Sequence, residues 1–290
     1  MRFDEAYSGR VFIASTSDLE AAETVLYGMP MDWTVSFRPG SRFGPNRVRE
    51  VSLVLEEYSP YLDRDLSDID YYDAGDIPLP FGNPEKSIQK IGEFVGQVLE
   101  RKKRPIGIGG EHLVTWPAVQ EVYRHYPQLA VIHLDAHADL RPDYEGEIYS
   151  HATPLHKIVQ LLGADNVYQF GIRSGTREEF QSAEREGIHF HPFEVLQPLI
   201  DVLPGLEGRP VYVTVDIDVL DPAYAPGTGT PEPGGITSSE LLASIHAIAR
   251  SGVHVVGADL VEVAPAYDPT DQTPVVAAKV LREMLLGFSR

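Results

Sequence analysis

The chain has 290 residues, 43% of them apolar and 23% charged, which is enough to bury a sizeable core. Its 24 Lys and Arg against 43 Asp and Glu give a formal charge of −19, arguing against nucleic acid and anionic membranes as partners. There is no cysteine, so disulfides, thiolate metal sites and a cysteine nucleophile are excluded.

No apolar run approaches the ~18 residues that a membrane helix requires. The opening MRFDEAYSGRVFIAS carries acidic residues where a signal peptide carries basic ones. The cytoplasm is the expected compartment.

Short apolar runs and amphipathic stretches alternate along the chain. The run TVLYGM (24–29) predicts a first strand, and IDYYDAG (69–75) a weaker one. Residues 83–103 then place Ile88, Ile91, Phe94, Val95, Val98 and Leu99 at helical spacing. IGIGG (106–110) predicts a strand, 115–126 a helix, and LAVIHLD (129–135) a strand. A helix over 154–163, a strand over 167–172, a helix over 177–187 and a weaker strand over 187–192 follow. VYVTVDID (211–218) predicts a strand, and APGTGTPEPGG (225–235) an ordered loop. A helix over 237–252 begins at Thr237 or Ser238 as N-cap, with Glu240 close behind. VHVVGADL (253–260) predicts the last strand and 274–288 the last helix. Strands this uniformly apolar are buried on both faces. The alternation predicts an α/β fold with a mostly parallel sheet between helix layers. Without a repeat or a linker, residues 1–290 read as a single domain.

Ligands of such sheets bind beyond the carboxyl ends of the strands. Three predicted strands end in metal-ligand chemistry. In LDAHADL, Asp135, His137 and Asp139 recur at every second position, which on an extended chain would face one side. In VDID, Asp216 and Asp218 would share one face. IGIGGEH ends in Glu111 and His112 behind two glycines. Like charges buried this close are costly unless neutralised. Asp135, Asp139, Asp216 and Asp218 together balance two divalent ions. Oxygen and imidazole donors without sulfur favour Mn²⁺, with Mg²⁺, Co²⁺ or Fe²⁺ compatible. Of the other histidines, His133 reads as a packing or supporting residue. His125, His156 and His246 read as surface residues on helices. His151, in the loop YEGEIYSHATP, lies where it could reach over the metals, and Glu262 ends another central strand.

The segments GIGGEH, LDAHADL, YSHATP, VDIDVLDPAYAPGTGTPEPGG and ADLVEVAPAYD occur in this order along nearly the whole chain. Together with SFRPGSRFGP (36–45) they resemble the arginase/agmatinase ureohydrolase family. The resemblance implies a three-layer α/β/α fold with an eight-stranded sheet, two Mn²⁺ ions per chain and hydrolysis of a guanidino group to urea. It implies that His112, Asp135, Asp139 and Asp216 hold one ion, and His137, Asp135, Asp216 and Asp218 the other. His151 would handle the proton for the leaving amine, Glu262 would face the guanidinium, and Asp139 would accept a hydrogen bond from the nucleophile. It also implies a homo-oligomer, a hexamer or a trimer. Ala152 departs from the glycine common in the family's SHGxP segment, and Glu111 from the aspartate more common in arginases.

The substrate this implies is small and cationic. Asp143, Glu145 and Glu147 in the loop before His151 disfavour an anionic tail, so agmatine, giving putrescine and urea, is the expected substrate. Guanidinobutyrate and arginine are the alternatives within the family. A non-catalytic metal-binding regulator and a histone-deacetylase-like zinc amidohydrolase are the alternatives outside it. Retention of all six ligands and of His151 argues against both.

Overall fold

The structure, a computed structural model, describes residues 10–289. The part of the signal-peptide reading that falls on residues 1–9 lies outside the described residues. In chain order the elements are β1 (Thr24–Met29), α1 (Gly44–Ser52), a short antiparallel hairpin of β2 (Tyr58–Ser59) and β3 (Arg64–Asp65), β4 (Tyr71–Asp76), α2 (Pro84–Glu100), β5 (Arg104–Gly109), α3 (Thr115–His125), β6 (Ala130–Leu134), α4 (Pro154–Leu162), β7 (Val167–Ile172), α5 (Arg177–Glu186), β8 (His189–Pro192), α6 (Leu196–Val202), β9 (Pro210–Asp216), α7 (Ser238–Arg250), β10 (His254–Val261) and α8 (Gln272–Phe288).

Eight strands form one sheet in the order β4-β1-β5-β10-β9-β6-β7-β8. Every pairing in it is parallel. Each of its strands corresponds to one of the apolar runs, the two weaker ones included. Helices α1, α6, α7 and α8 pack on one face and α2 to α5 on the other. The pleat divides the strands between these layers: Val211, Val213 and Val215 of β9 face the first, and Tyr212 faces the second.

Local chemistry explains the helix ends. Asn83 caps α2 by accepting from the Lys86 amide at 2.9 Å. Thr237 caps α7 by accepting from the Glu240 amide at 3.2 Å. Two helices carry too little periodic signal to predict. Helix α1 opens with Gly44-Pro45, and beyond Pro45 its buried apolar side chains are Val48 and Val51. Helix α6 is seven residues long and contains Pro198.

One histidine assignment is corrected. His246 on α7 is buried, not on the surface, and its Nε2 donates to Glu283 Oε2 of α8 at 2.8 Å. Ser59 Oγ donates to the same oxygen at 2.6 Å, and Arg282 binds the other oxygen. Among the described residues, no helix is long and apolar enough to cross a membrane.

Candidate metal centre

The four central strands, β5, β10, β9 and β6, direct their carboxyl ends to one place. After β5, a Cβ on Gly110 would lie 1.9 Å from the Met31 carbonyl oxygen, so only glycine lets the two segments pass. Glu111 follows, and His112 opens a 3-10 turn. Strand β6 stops at Leu134, so Asp135 to Asp139 do not continue as an extended segment. Instead Asp135 Oδ1 accepts the His137 amide at 2.6 Å, and Asp139 is left-handed with φ +53°. Asp218 likewise sits on a 3-10 turn after β9, its amide bonded to Asp216 Oδ1 at 2.9 Å. The side chains converge as expected, but turns aim them and strand alternation does not.

Glu262 follows β10 with φ +65°, a conformation that costs a non-glycine residue of the order of 1 kcal/mol or more. Two bonds hold it there. Its amide donates to the Gly110 carbonyl at 2.8 Å, and its Oε1 accepts the His112 amide at 2.9 Å.

The ligand-type atoms fall into two groups that share Asp135. His112 Nδ1 lies 2.9 Å from Asp135 Oδ2, 3.2 Å from Asp216 Oδ2 and 3.4 Å from Asp139 Oδ2. His137 Nδ1 lies 3.0 Å from Asp218 Oδ2 and 3.5 Å from Asp135 Oδ1. All but His137 are buried. Burial, and then the neighbouring carboxylates, push the Asp139 and Asp216 carboxyl groups well above the usual range. His112 Nδ1 and Asp218 Oδ2 are buried with no hydrogen bond to either. Buried, unsatisfied donor atoms among crowded carboxylates are what a cation would satisfy, and the residues fit divalent metal on both counts.

His133 also approaches Asp135 but from behind. Gln169 Nε2 donates to the Ala138 carbonyl at 2.8 Å and meets His133 Nδ1 at 3.0 Å. The amide is thereby fixed as a donor, so His133 Nδ1 accepts and Nε2–H donates to Asp135 Oδ2 at 2.7 Å. His133 orients the shared carboxylate, the supporting role that its place in the strand suggests.

His151 is held by the segment after β1. Its amide donates to Thr34 Oγ1 at 2.9 Å, and its Nδ1 donates to the Thr34 carbonyl at 2.7 Å. Nε2 is left to accept from Ser36 Oγ at 3.2 Å. Burial, opposed by the Thr34 bond and aided by neighbouring cationic side chains, pushes the imidazole down to about 4. Thr34 in turn donates its amide to Glu111 Oε2 at 2.8 Å. Burial pushes that carboxyl up to about 8. Thr34 was not legible as a site residue, and Glu111 only as the neighbour of His112, because their partners lie far away in sequence.

A cavity of about 220 Å³ opens above the cluster, lined among others by His137, Asp139, Arg141, Tyr144, His151, Glu179 and Glu262. It suits a ligand smaller than most drugs. Asp143, Glu145 and Glu147 are exposed and do not line it. The charged side chain that this loop contributes is Arg141, stacked over Tyr144 with its Cζ 5.2 Å from the ring centre and its Nε 3.4 Å from Glu179. Asp143, Glu145 and Glu147, expected to disfavour an anionic tail, therefore do not reach the cavity wall.

The model of the arginase family matches residues 22–287. The chain belongs to the arginase family. It is 67% identical over 288 residues to the agmatinase of Bacillus subtilis, covering 99% of each chain. It is 34% identical to a guanidinobutyrase of Pseudomonas aeruginosa, covering 94% of this chain and 88% of that one. Among solved structures, the agmatine ureohydrolase of Thermoplasma volcanium superposes with a TM-score of 0.88 at 32% identity, covering 97% of this chain and 95% of that chain. The arginase of Medicago truncatula gives 0.79 at 31% identity, covering 93% and 88%. The eight-stranded sheet between two helix layers is thus the arginase-family fold, as the sequence resemblance implied. Among the described residues of this arginase-family chain, His112, His133 and Asp135 form one group that could bind metal, and Asp135, His137 and Asp218 form another.

Proposed function

We propose that the chain is an agmatinase, a hydrolase that cleaves agmatine to putrescine and urea with two Mn²⁺ ions. The observation that carries the reading is the sharing of Asp135 by two histidine-carboxylate groups, in a chain 67% identical to an agmatinase. His112, Asp135, Asp139 and Asp216 would hold one ion. His137, Asp135, Asp216 and Asp218 would hold the other. Two bound divalent ions would make a water nucleophile available near neutral pH and stabilise developing negative charge.

The side chains supply the rest. Glu262 keeps one carboxylate oxygen on the His112 amide and offers the other to the substrate guanidinium. Asp139 accepts a hydrogen bond from the attacking water. Attack at the guanidino carbon gives a tetrahedral intermediate, and the C–N bond to the chain nitrogen breaks. The departing amine needs a proton. His151 Nε2 takes it from the attacking water and passes it on, since an imidazole of low basicity gives a proton up readily once charged. The turn-over side of the pocket is completed by Arg141 and Tyr144, which bound the space for the substrate tail.

Urea release from Mn²⁺-loaded protein should be fastest with agmatine and slow with guanidinobutyrate and arginine. Faster release from either acid would reassign the substrate, and none from any would remove the ureohydrolase reading. The acidic, cysteine-free chain is read as a cytoplasmic homo-oligomer, a hexamer or a trimer. A monomer in light scattering would overturn that part.

A further inference from the structure

One fully buried carboxylate is used neither by the metal clusters nor by the pocket. Asp259 lies on β10, in register between Gly107 of β5 and Thr214 of β9. Room is made for it: a Cβ on Gly107 would lie 3.2 Å from Asp259 Cβ and 2.5 Å from Met29 Cε. The first glycine of the β5 motif thus admits a charged side chain into the sheet.

Asp259 Oδ2 accepts from Tyr212 OH at 2.7 Å and from Thr115 Oγ1 at 2.9 Å. A carboxylate oxygen that receives two donors fixes the direction of everything attached to it. With the Thr115 proton committed to Asp259, Thr115 Oγ1 can only accept from Thr214 Oγ1, 3.4 Å away. With the Thr214 proton directed toward Thr115 and Asp259, Thr214 Oγ1 can only accept from His112 Nε2, at 3.0 Å. His112 therefore carries its proton on Nε2, and its Nδ1 lone pair points at Asp135, Asp139 and Asp216.

We infer that Asp259 is a positioning residue for metal binding, acting through Thr115 and Thr214 to hold His112 in the tautomer whose Nδ1 can ligate. The inference rests on the reading that His112 holds one of the two ions. A metal-bound imidazole is tuned by whatever receives its other N–H, and loss of that partner typically costs 10–100-fold in metal affinity. Here the receiver is a relay of two hydroxyls that ends on a carboxylate beneath the sheet.

The test titrates metal-free protein with Mn²⁺ and follows the free ion by electron paramagnetic resonance. Thr214→Val keeps the side-chain shape and cuts the relay at His112. Asp259→Leu removes its anchor. Each should weaken one of the two binding steps by roughly 10–100-fold and leave the other near wild type. Thr214→Ser, which keeps the hydroxyl, should bind both ions as wild type does. Should Asp259→Leu fail to fold, the Thr214 pair alone decides. A folded Thr214→Val protein that binds both ions at wild-type affinity overturns the inference and leaves the two-metal reading standing. A wild-type protein that takes up fewer than two ions overturns that reading, and the inference with it.

Discussion

Thr34 holds His151 at two points, its hydroxyl accepting the His151 amide at 2.9 Å and its carbonyl accepting Nδ1 at 2.7 Å. The second bond fixes the tautomer, and the first fixes the loop that carries the ring. Thr34→Val keeps the carbonyl but leaves the His151 amide without its acceptor, a loss worth about 1–3 kcal/mol when buried. Its kcat should fall about tenfold, with both metals retained. Thr34→Ser should restore the rate. Equal rates for the Val and Ser variants would show that the hydroxyl does not position the imidazole.

His151 itself makes no contact with the ligand-type atoms through its ring nitrogens, which face Thr34 and Ser36. His151→Asn should therefore leave two ions bound and lower kcat by ~10²-fold or more, the usual cost of losing a proton-transfer group. Metal content, folding and turnover measured on one preparation separate this from damage to the loop. Near-normal kcat in a folded, two-metal variant removes His151 from the mechanism.

Asp135 faces both histidines, and Asp218 faces one. Asp135→Asn should lower the affinity for both ions, while Asp218→Asn should weaken chiefly one. Metal analysis after dialysis against a chelator distinguishes them. The pair would behave alike if Asp135 did not bridge.

The cluster under the β2–β3 hairpin predicts a pH dependence of stability. Burial would raise the Glu283 carboxyl, but hydrogen bonds from Ser59, Arg282 and His246 outweigh it and lower it below the usual glutamate range. A carboxyl lowered in the folded state stabilises fully above its unfolded value, about 4.3, and loses that contribution as pH falls through the folded value. Thermal melts of wild type should therefore drop below about pH 4. Glu283→Gln should be less stable at pH 7 and should show a shallower acid slope. Parallel curves for the two proteins would exclude Glu283 as a source of the acid sensitivity.

Much of this molecule could be read before its structure. The central strands were legible because burial on both faces leaves continuous apolar runs such as Val211 to Val215. The metal-type residues were legible because polar side chains that end such runs have few other uses. What aims them was not. Asp139 and Asp218 owe their direction to a left-handed residue and a 3-10 turn, which a pattern of alternate positions does not encode. Thr34 and Glu111 enter the site through bonds across 117 and 77 residues of sequence. The tail of the pocket was misread because charge in a sequence does not say which side chains turn outward: Asp143, Glu145 and Glu147 do, and Arg141 stays. His246 was misplaced for a related reason, since its partner Glu283 lies on another helix.

The sheet order has a consequence for how the protein is made. Strands β9 and β10 fill the middle of the sheet, between β5 and β6, yet they are the last two strands to be synthesised. A nascent chain that has emerged only as far as α6 can form two three-stranded half-sheets, β4-β1-β5 and β6-β7-β8, each with one edge awaiting a partner. Unpaired parallel edges of this kind invite wrong pairing and fold slowly. Each half carries one of the two clustered imidazoles, His112 or His137, and neither holds Asp216 or Asp218. Insertion of the final pair closes both exposed edges and brings in the remaining carboxylates in the same event, so the protein acquires its complete set of metal-type side chains only when its sheet is finished.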